Sequence, residues 1–299
     1  MRKRSVFLAG SVVFVILAVL LGSIAWFSHL RGSKASLVFG EKVAVLEIKG
    51  IIGDAQPIMT KLARFTRDAS VKAVVLRIES PGGGVSPSQE LYKEIRRAGR
   101  QKPVVVSMGS VAASGGYYIA SAARKIYANP GTITGSIGVI LKFTNLEELF
   151  EKVGFQVEII KSGVYKDVGN PARKMTPRER AHLQQMIDNI HQQFVRDVAR
   201  ARRLPIEEVR KIADGRICAG EQAKELGLVD ELGNLKDAID AAAEMAAIKG
   251  EPKVIYPDRE KRSLVDYLLN RAADNLVGHL QDTLGILLFY PLPNGPAVS

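Results

Sequence analysis

The chain is poor in the two residues that most often carry hydrolytic or redox chemistry. Of its 299 residues one is cysteine, Cys218, and four are histidine: His29, His182, His191 and His279. A single cysteine excludes an intrachain disulfide. With no partner thiol and no base beside it in sequence, Cys218 reads as a small apolar residue rather than a nucleophile. No histidine falls between positions 30 and 181, where the glycine-rich motifs lie, so the usual histidine-activated nucleophile has no local base there. His182 and His191 stand nine apart, unlike the i, i+4 pair of a helical zinc site, and read as surface or interface residues. No metal and no cofactor is expected.

Charge is absent from Ser5 to Phe27. At 1.5 Å per residue this run extends about 34 Å, enough to cross a ~30 Å hydrocarbon core and longer than the ~7–15-residue apolar region of a cleaved signal peptide. The expectation is a single-pass anchor over 5–27. The basic segment 1–4, with Arg2, Lys3 and Arg4, would stay on the cytoplasmic side, and everything after the linker at 28–40 would lie on the extracytoplasmic side of the cytoplasmic membrane. The net charge is +11. Many of the bases fall between Arg173 and Lys211, which suits a solvated helix face, with attraction to anionic headgroups as the alternative. No aromatic-basic RNA motif or zinc spacing occurs, and nucleic acid is not an expected partner.

Apolar runs and helical periodicities alternate along the rest of the chain. Strands are expected at 43–49, 73–79, 103–108, 125–128, 138–141 and 156–161. Helices are expected at 55–69, 88–99, 115–123, 146–153, 177–202, 206–213, 220–226 and 235–247. This alternation predicts an α/β fold of repeated βαβ units. On the longest helix Leu183, Met186, Ile187, Ile190, Phe194 and Val198 form one apolar stripe. In the tail, 251–299, Leu264, Leu268, Ala272, Leu276, Leu280 and Leu284 recur every four residues, a pattern for a partly amphipathic helix that packs on a membrane or a partner protomer.

Chemistry is concentrated in four short motifs. Ser114 follows the apolar run Pro103 to Met108 and precedes Gly115-Gly116-Tyr117-Tyr118, so it falls at a strand-to-helix junction with the Gly115 amide beside it. Ser80-Pro81-Gly82-Gly83-Gly84 follows a strand and reads as a plain turn or as a loop that aims backbone amides at a ligand. Ser136, in Thr134-Gly135-Ser136-Ile137-Gly138, reads alone as a turn serine. Lys166, in Ser162-Gly163-Val164-Tyr165-Lys166-Asp167, reads alone as an ordinary surface lysine, although a neutral lysine is the known substitute for histidine as a base. Tyr117 and Tyr118 are expected in core and groove packing.

Taken together and in this order, these motifs, with Gly215-Arg216 through Gly227-Leu228-Val229-Asp230, resemble the signal peptide peptidase A family over roughly residues 41–248. The resemblance implies a Clp-protease/crotonase-like fold over 41–250 and a membrane-anchored serine endopeptidase that degrades hydrophobic peptides, signal peptides left after preprotein processing among them. It implies Ser114 as nucleophile, Lys166 as general base and Ser136 as the group that orients the lysine. The amides of Gly83 and Gly115 would form the oxyanion hole. It further implies a homo-oligomeric ring, and leaves open whether the Ser114 and Lys166 of one site belong to the same protomer or to neighbouring ones. One departure is Cys218-Ala219, where the family more often has an aromatic residue and a threonine; being far in sequence from the dyad, it bears on local packing. The chain has room for one copy of the domain, where longer members fuse two. Two other readings are an acyl-CoA enzyme of the crotonase type, disfavoured by an external location, and a non-catalytic scaffold, disfavoured by the intact serine and lysine motifs.

Overall fold

The computed structural model describes residues 41–257. The anchor expected at 5–27 and the helix expected in the tail lie outside the described residues, among which no helix is long and apolar enough to cross a membrane. In chain order the elements are β1 (Lys42–Lys49), α1 (Gln56–Arg67), β2 (Val71–Ser80), α2 (Val85–Ala98), β3 (Val104–Ala113), α3 (Gly115–Ser121), β4 (Lys125–Ala128), β5 (Ile133–Gly135), α4 (Glu147–Lys152), α5 (Pro177–Arg202), α6 (Ile206–Ile212), β6 (Ile217–Ala219), α7 (Gly220–Glu225), β7 (Glu231–Leu232), α8 (Leu235–Met245) and β8 (Lys253–Ile255).

The strands form one sheet in the order β6-β5-β3-β2-β1-β8, with β4 pairing β3 and β7 pairing β4. Every pair is parallel except β5 with β6. Parallel strands need both faces covered, and the near-continuous apolar runs of β1, β2 and β3 supply both. In β1, Ala44, Leu46 and Ile48 face the larger core, while Val43 and Val45 face a second core built on Ala238, Ile239 and Ala242 of α8. The two-residue alternation of a strand thus feeds two layers of helix.

Strand β3 places the site. Its first half pairs β4 at Val105, Val106 and Ser107, and its second half pairs β5 at Val111, Ala112 and Ala113. The strand therefore runs past the end expected at 108 and delivers the chain directly to Ser114. The Glu79 carboxylate holds this extension, accepting from the amides of Ser110 at 2.9 Å and Val111 at 3.2 Å.

Two expectations fail. Residues 138–141 and 156–161 form no strand. Their apolar side chains, which suggested burial, face solvent instead: Ile140 is 86% and Ile160 97% exposed. All eight expected helices are present, most of them shorter at their ends. Helix α5 starts where Thr176 and Glu179 form a reciprocal capping box with Pro177 at the first position, and stops at Arg203, whose φ of 57° is left-handed. Its apolar stripe is divided. Phe194, Val195 and Val198 are buried, whereas Leu183 and Ile187 are only partly covered and Met186 is exposed.

Candidate active site

Ser114 stands between β3 and α3 with φ 52° and ψ −120°, a conformation that costs an L-residue about 1–3 kcal/mol and persists only where the surroundings enforce it. A sharp strand-to-helix turn of this kind lifts a side chain out of the sheet into a cleft. The enforcement is visible. The Ser114 amide donates to the Gly135 carbonyl at 2.9 Å, and the Ser114 carbonyl accepts from Tyr118 at 2.8 Å.

The glycine loop packs directly on this turn. Ser80, fully buried, donates from Oγ to the Gly50 carbonyl at 2.6 Å and accepts from the Gly82 amide at 3.1 Å. At Gly83 a Cβ would sit 2.3 Å from the Ile52 carbonyl oxygen; at Gly115 it would meet Ser88 Oγ at 2.5 Å and the Gly83 nitrogen at 3.3 Å. Neither position has room for a side chain, and the two amides lie close together next to Ser114. No turn or loop bond among the described residues takes up either amide.

Ser136 belongs to the same cluster. The register pairs Ala113 with Gly135, so Ser114 and Ser136 are the next residues on neighbouring strands, which run ~4.8 Å apart. Ser136 shares the φ of 52°. Its amide donates to the Arg216 carbonyl at 2.7 Å, and the Gly215 amide donates to Ile137 at 3.2 Å. Cys218 pairs with Thr134 across β5 and β6, and its sulfur would lie 3.2 Å from a Cβ on Gly135. Sequence distance misleads here, because the Cys218 departure packs one residue from Ser136. Burial pushes the Cys218 thiol above its usual range, which fits a packing role.

Ser114, Ser136, Gly83 and Gly115 line a cleft of about 390 Å³, walled by Val139, Ile140, Ile190 and Phe194. The walls suit apolar side chains of an extended ligand. Tyr118 also lines it, stacked on Tyr92 with centroids 5.0 Å apart and set edge-on against Phe194 at 4.6 Å. Tyr117 is buried, its hydroxyl donating to Leu228 at 3.0 Å. Both tyrosines are placed as expected.

Among the described residues the cleft holds no group suited to take a proton from Ser114. Its titratable members are Tyr118 and Asp214. Burial and a hydrogen bond donated to Asp197 push the Tyr118 phenol far above its usual range. The Asp214 carboxyl is held well below the carboxylate range by the Arg216 guanidinium. Lys166 is elsewhere. It lies in the turn closed by its own amide on the Gly163 carbonyl at 3.1 Å, its side chain is exposed, and it does not line the cleft. One copy of the chain therefore brings Ser114, Ser136, Gly83 and Gly115 together and leaves Lys166 apart.

The Lys166 turn is nonetheless anchored. Its neighbour Asp167 accepts from Lys161 Nζ at 2.5 Å and from Arg173 Nε at 2.9 Å, and Arg173 also donates to Glu179 at the head of α5. These partners hold the Asp167 carboxyl far below its usual range and lower that of Glu179 to about 2. Nothing in the sequence motifs gave a role to this relay, nor to Glu79, Ser80 and Ser88. They carry no reacting atom and are legible only once the loops are in place.

Comparison with known proteins converges on one class. The family model for peptidase family S49 matches residues 96–249, and that for Clp protease matches residues 41–132. A candidate protease of Synechocystis sp. is 42% identical over 243 residues, covering 79% of this chain and 88% of that protein. A candidate signal peptide peptidase of Enterococcus faecium is 34% identical over 248 residues, covering 78% and 72%. Among solved structures, a mutant of a membrane-bound stomatin-specific protease superposes with a TM-score of 0.51 at 17% identity, covering 74% of this chain and 99% of that one, a likeness of fold.

Proposed function

The chain belongs to peptidase family S49, and from that premise we propose a membrane-anchored serine endopeptidase that cleaves extended hydrophobic peptides, signal peptides left after preprotein processing among them. The observation that carries the reading is Ser114 on its strained turn beside the Gly83 and Gly115 amides, in an apolar cleft. Ser114 Oγ attacks the peptide carbonyl while a neutral lysine takes its proton. The oxyanion that forms accepts from the two amides, the lysine returns the proton to the leaving amine, and water hydrolyses the acyl-enzyme.

The base is Lys166 of a neighbouring copy in a homo-oligomeric ring. Three features support this. Among the described residues the cleft of one copy lacks a base, Lys166 is exposed, and the segment before it carries uncovered Ile140, Phe155, Ile160 and Val164, with Leu141 and Phe143 beside Leu183 and Ile187 of α5. An exposed apolar surface of this kind marks a protein interface, and docking there would desolvate the lysine, which favours its neutral form. Ser136 would then orient the incoming neutral amine. The anchor at 5–27 would hold the catalytic domain on the extracytoplasmic side of the membrane. A serine-directed phosphonate tests the reading. Peptide mapping should find the label on Ser114 and lose it in Ser114→Ala, and wild-type protein left unlabelled under conditions that preserve assembly would contradict it.

A further inference from the structure

The end of the sheet opposite Ser114 carries a second cleft. Helices α2 and α3 begin at the catalytic cleft, next to Gly84 and Ser114. Their C-termini, with that of α5, converge on a cavity of about 550 Å³ lined by Arg96, Arg100, Arg124, Arg200 and Arg203. All five are exposed. Arg202 lines it too, but its guanidinium is spent on Asp230, the one carboxylate in the lining, at 2.7 Å.

Several other bases near this rim are likewise engaged. Lys102 Nζ donates to the carbonyls of Phe65 and Asp68, Lys72 faces Glu41, Lys125 faces Glu231, and Arg97 pairs with Glu94. The five cleft arginines have no such carboxylate partner among the described residues. Helix C-termini do attract cations, each end amounting to at most about half a negative charge. Three ends thus offset roughly one and a half of five positive charges. Dipole capping leaves most of the charge uncompensated, gathered in a concavity of guanidinium forks whose geometry matches phosphate oxygens.

The chain also enters the sheet on this rim. β1 starts at Lys42 and runs parallel to β2 and β3, and β4 starts beside Arg124. The residue that connects to the linker and the uncharged run at 5–27 thus leaves from the arginine end of the sheet and not from the catalytic end. We propose that the arginine cleft is a binding site for phosphate groups of anionic lipid headgroups, which docks this rim on the bilayer and turns the catalytic cleft away from it. The proposal rests on the membrane-anchored reading given above.

The full-length chain in nanodiscs tests it by amide hydrogen exchange, comparing discs of phosphatidylcholine alone with discs containing phosphatidylglycerol. Five arginines drawn to an anionic surface should slow exchange at residues 98–101, 122–124 and 201–204 by about tenfold in the phosphatidylglycerol discs. The amides of β3 should not change. A variant with Arg100→Gln, Arg124→Gln and Arg200→Gln should lose the difference while keeping β3 protected. Equal exchange in both discs overturns the proposal without a variant being needed. Protection reproduced in phosphatidylcholine discs by inorganic phosphate overturns the lipid assignment in favour of a soluble phosphate ligand. A chain that fails to co-elute with discs of either composition removes the membrane reading itself.

Discussion

The nucleophile half and the lysine half of the proposed dyad are built in opposite ways. Around Ser114 the backbone is fixed. Glu79, Ser80 and Ser88 hold backbone, two glycines leave no space for a Cβ, and β3 and β5 register Ser114 beside Ser136. Around Lys166, from 138 to 175, the chain has one six-residue helix, no strand and a series of exposed apolar side chains. A fold can store about 1–3 kcal/mol of backbone strain only where packing over-determines it. The nucleophile half does so alone, whereas the lysine half has apolar surface that nothing among the described residues covers. On the proposed reading, assembly more than folding completes the site.

The sharpest way to break this comparison is to remove one reacting group from each half. Ser114→Ala should abolish peptide cleavage, with a loss of ~10⁴-fold or more, and Lys166→Arg should be nearly as inactive because a guanidinium does not give up its proton. Because Lys166 is exposed in a single copy, its variant should keep the wild-type melting temperature of the dissociated chain. Cleavage against pH in the wild type should lack the limb near ~6.5 of a histidine base. A melting temperature lowered by Lys166→Arg would place that side chain in the core.

Next in size is Gly83→Ala. A methyl group 2.3 Å from the Ile52 carbonyl must displace backbone, at a cost of about 1–3 kcal/mol, so thermal denaturation and cleavage should both suffer. Wild-type behaviour in both would show that the loop is looser than its packing indicates. Ser136→Ala is expected to retain partial activity, lowered about 10–100-fold as for a supporting group, with a shifted pH profile. Activity lost as fully as in Ser114→Ala would instead give Ser136 a reacting role.

The smallest effect concerns acid. Asp167 and Glu179 are held below their unfolded values of about 3.9 and 4.3. Their contribution is therefore present above those values and is lost as pH falls through the depressed folded range. Limited proteolysis within 161–179 should accelerate below about pH 4 while the β3 region stays resistant. Asp167→Asn should show the same loosening at neutral pH. A segment equally resistant at pH 7 and pH 3 would remove the relay from the account.

How much of this was legible in the sequence follows the same division. β1 to β4 and the helices could be read, because continuous apolar runs and 3.6-residue stripes report burial, and burial governs that half of the molecule. Residues 138–141 and 156–161 defeated the same rule, since Ile140 and Ile160 are apolar without being covered. The short strands β5 to β8 were missed because two or three residues carry no period of their own, and tertiary contact alone defines them. That Ser114, Ser136, Gly83 and Gly115 line one cleft was expected from the family resemblance, since Ser136 alone reads as a turn serine. The nearness of Cys218 to Ser136 was not, because an antiparallel pairing across more than eighty residues leaves no local trace.

The central claim is that each site takes Ser114 from one copy and Lys166 from the next. Purified Ser114→Ala and Lys166→Arg proteins, each inactive, can be dissociated, mixed in equal amounts and reassembled. If the site spans two copies, random assembly gives about a quarter of the sites both intact groups, and cleavage should return to about that fraction of wild type. If Ser114 and Lys166 of the same copy act together, every site in the mixture lacks one of them, and the mixture would stay as inactive as its parts.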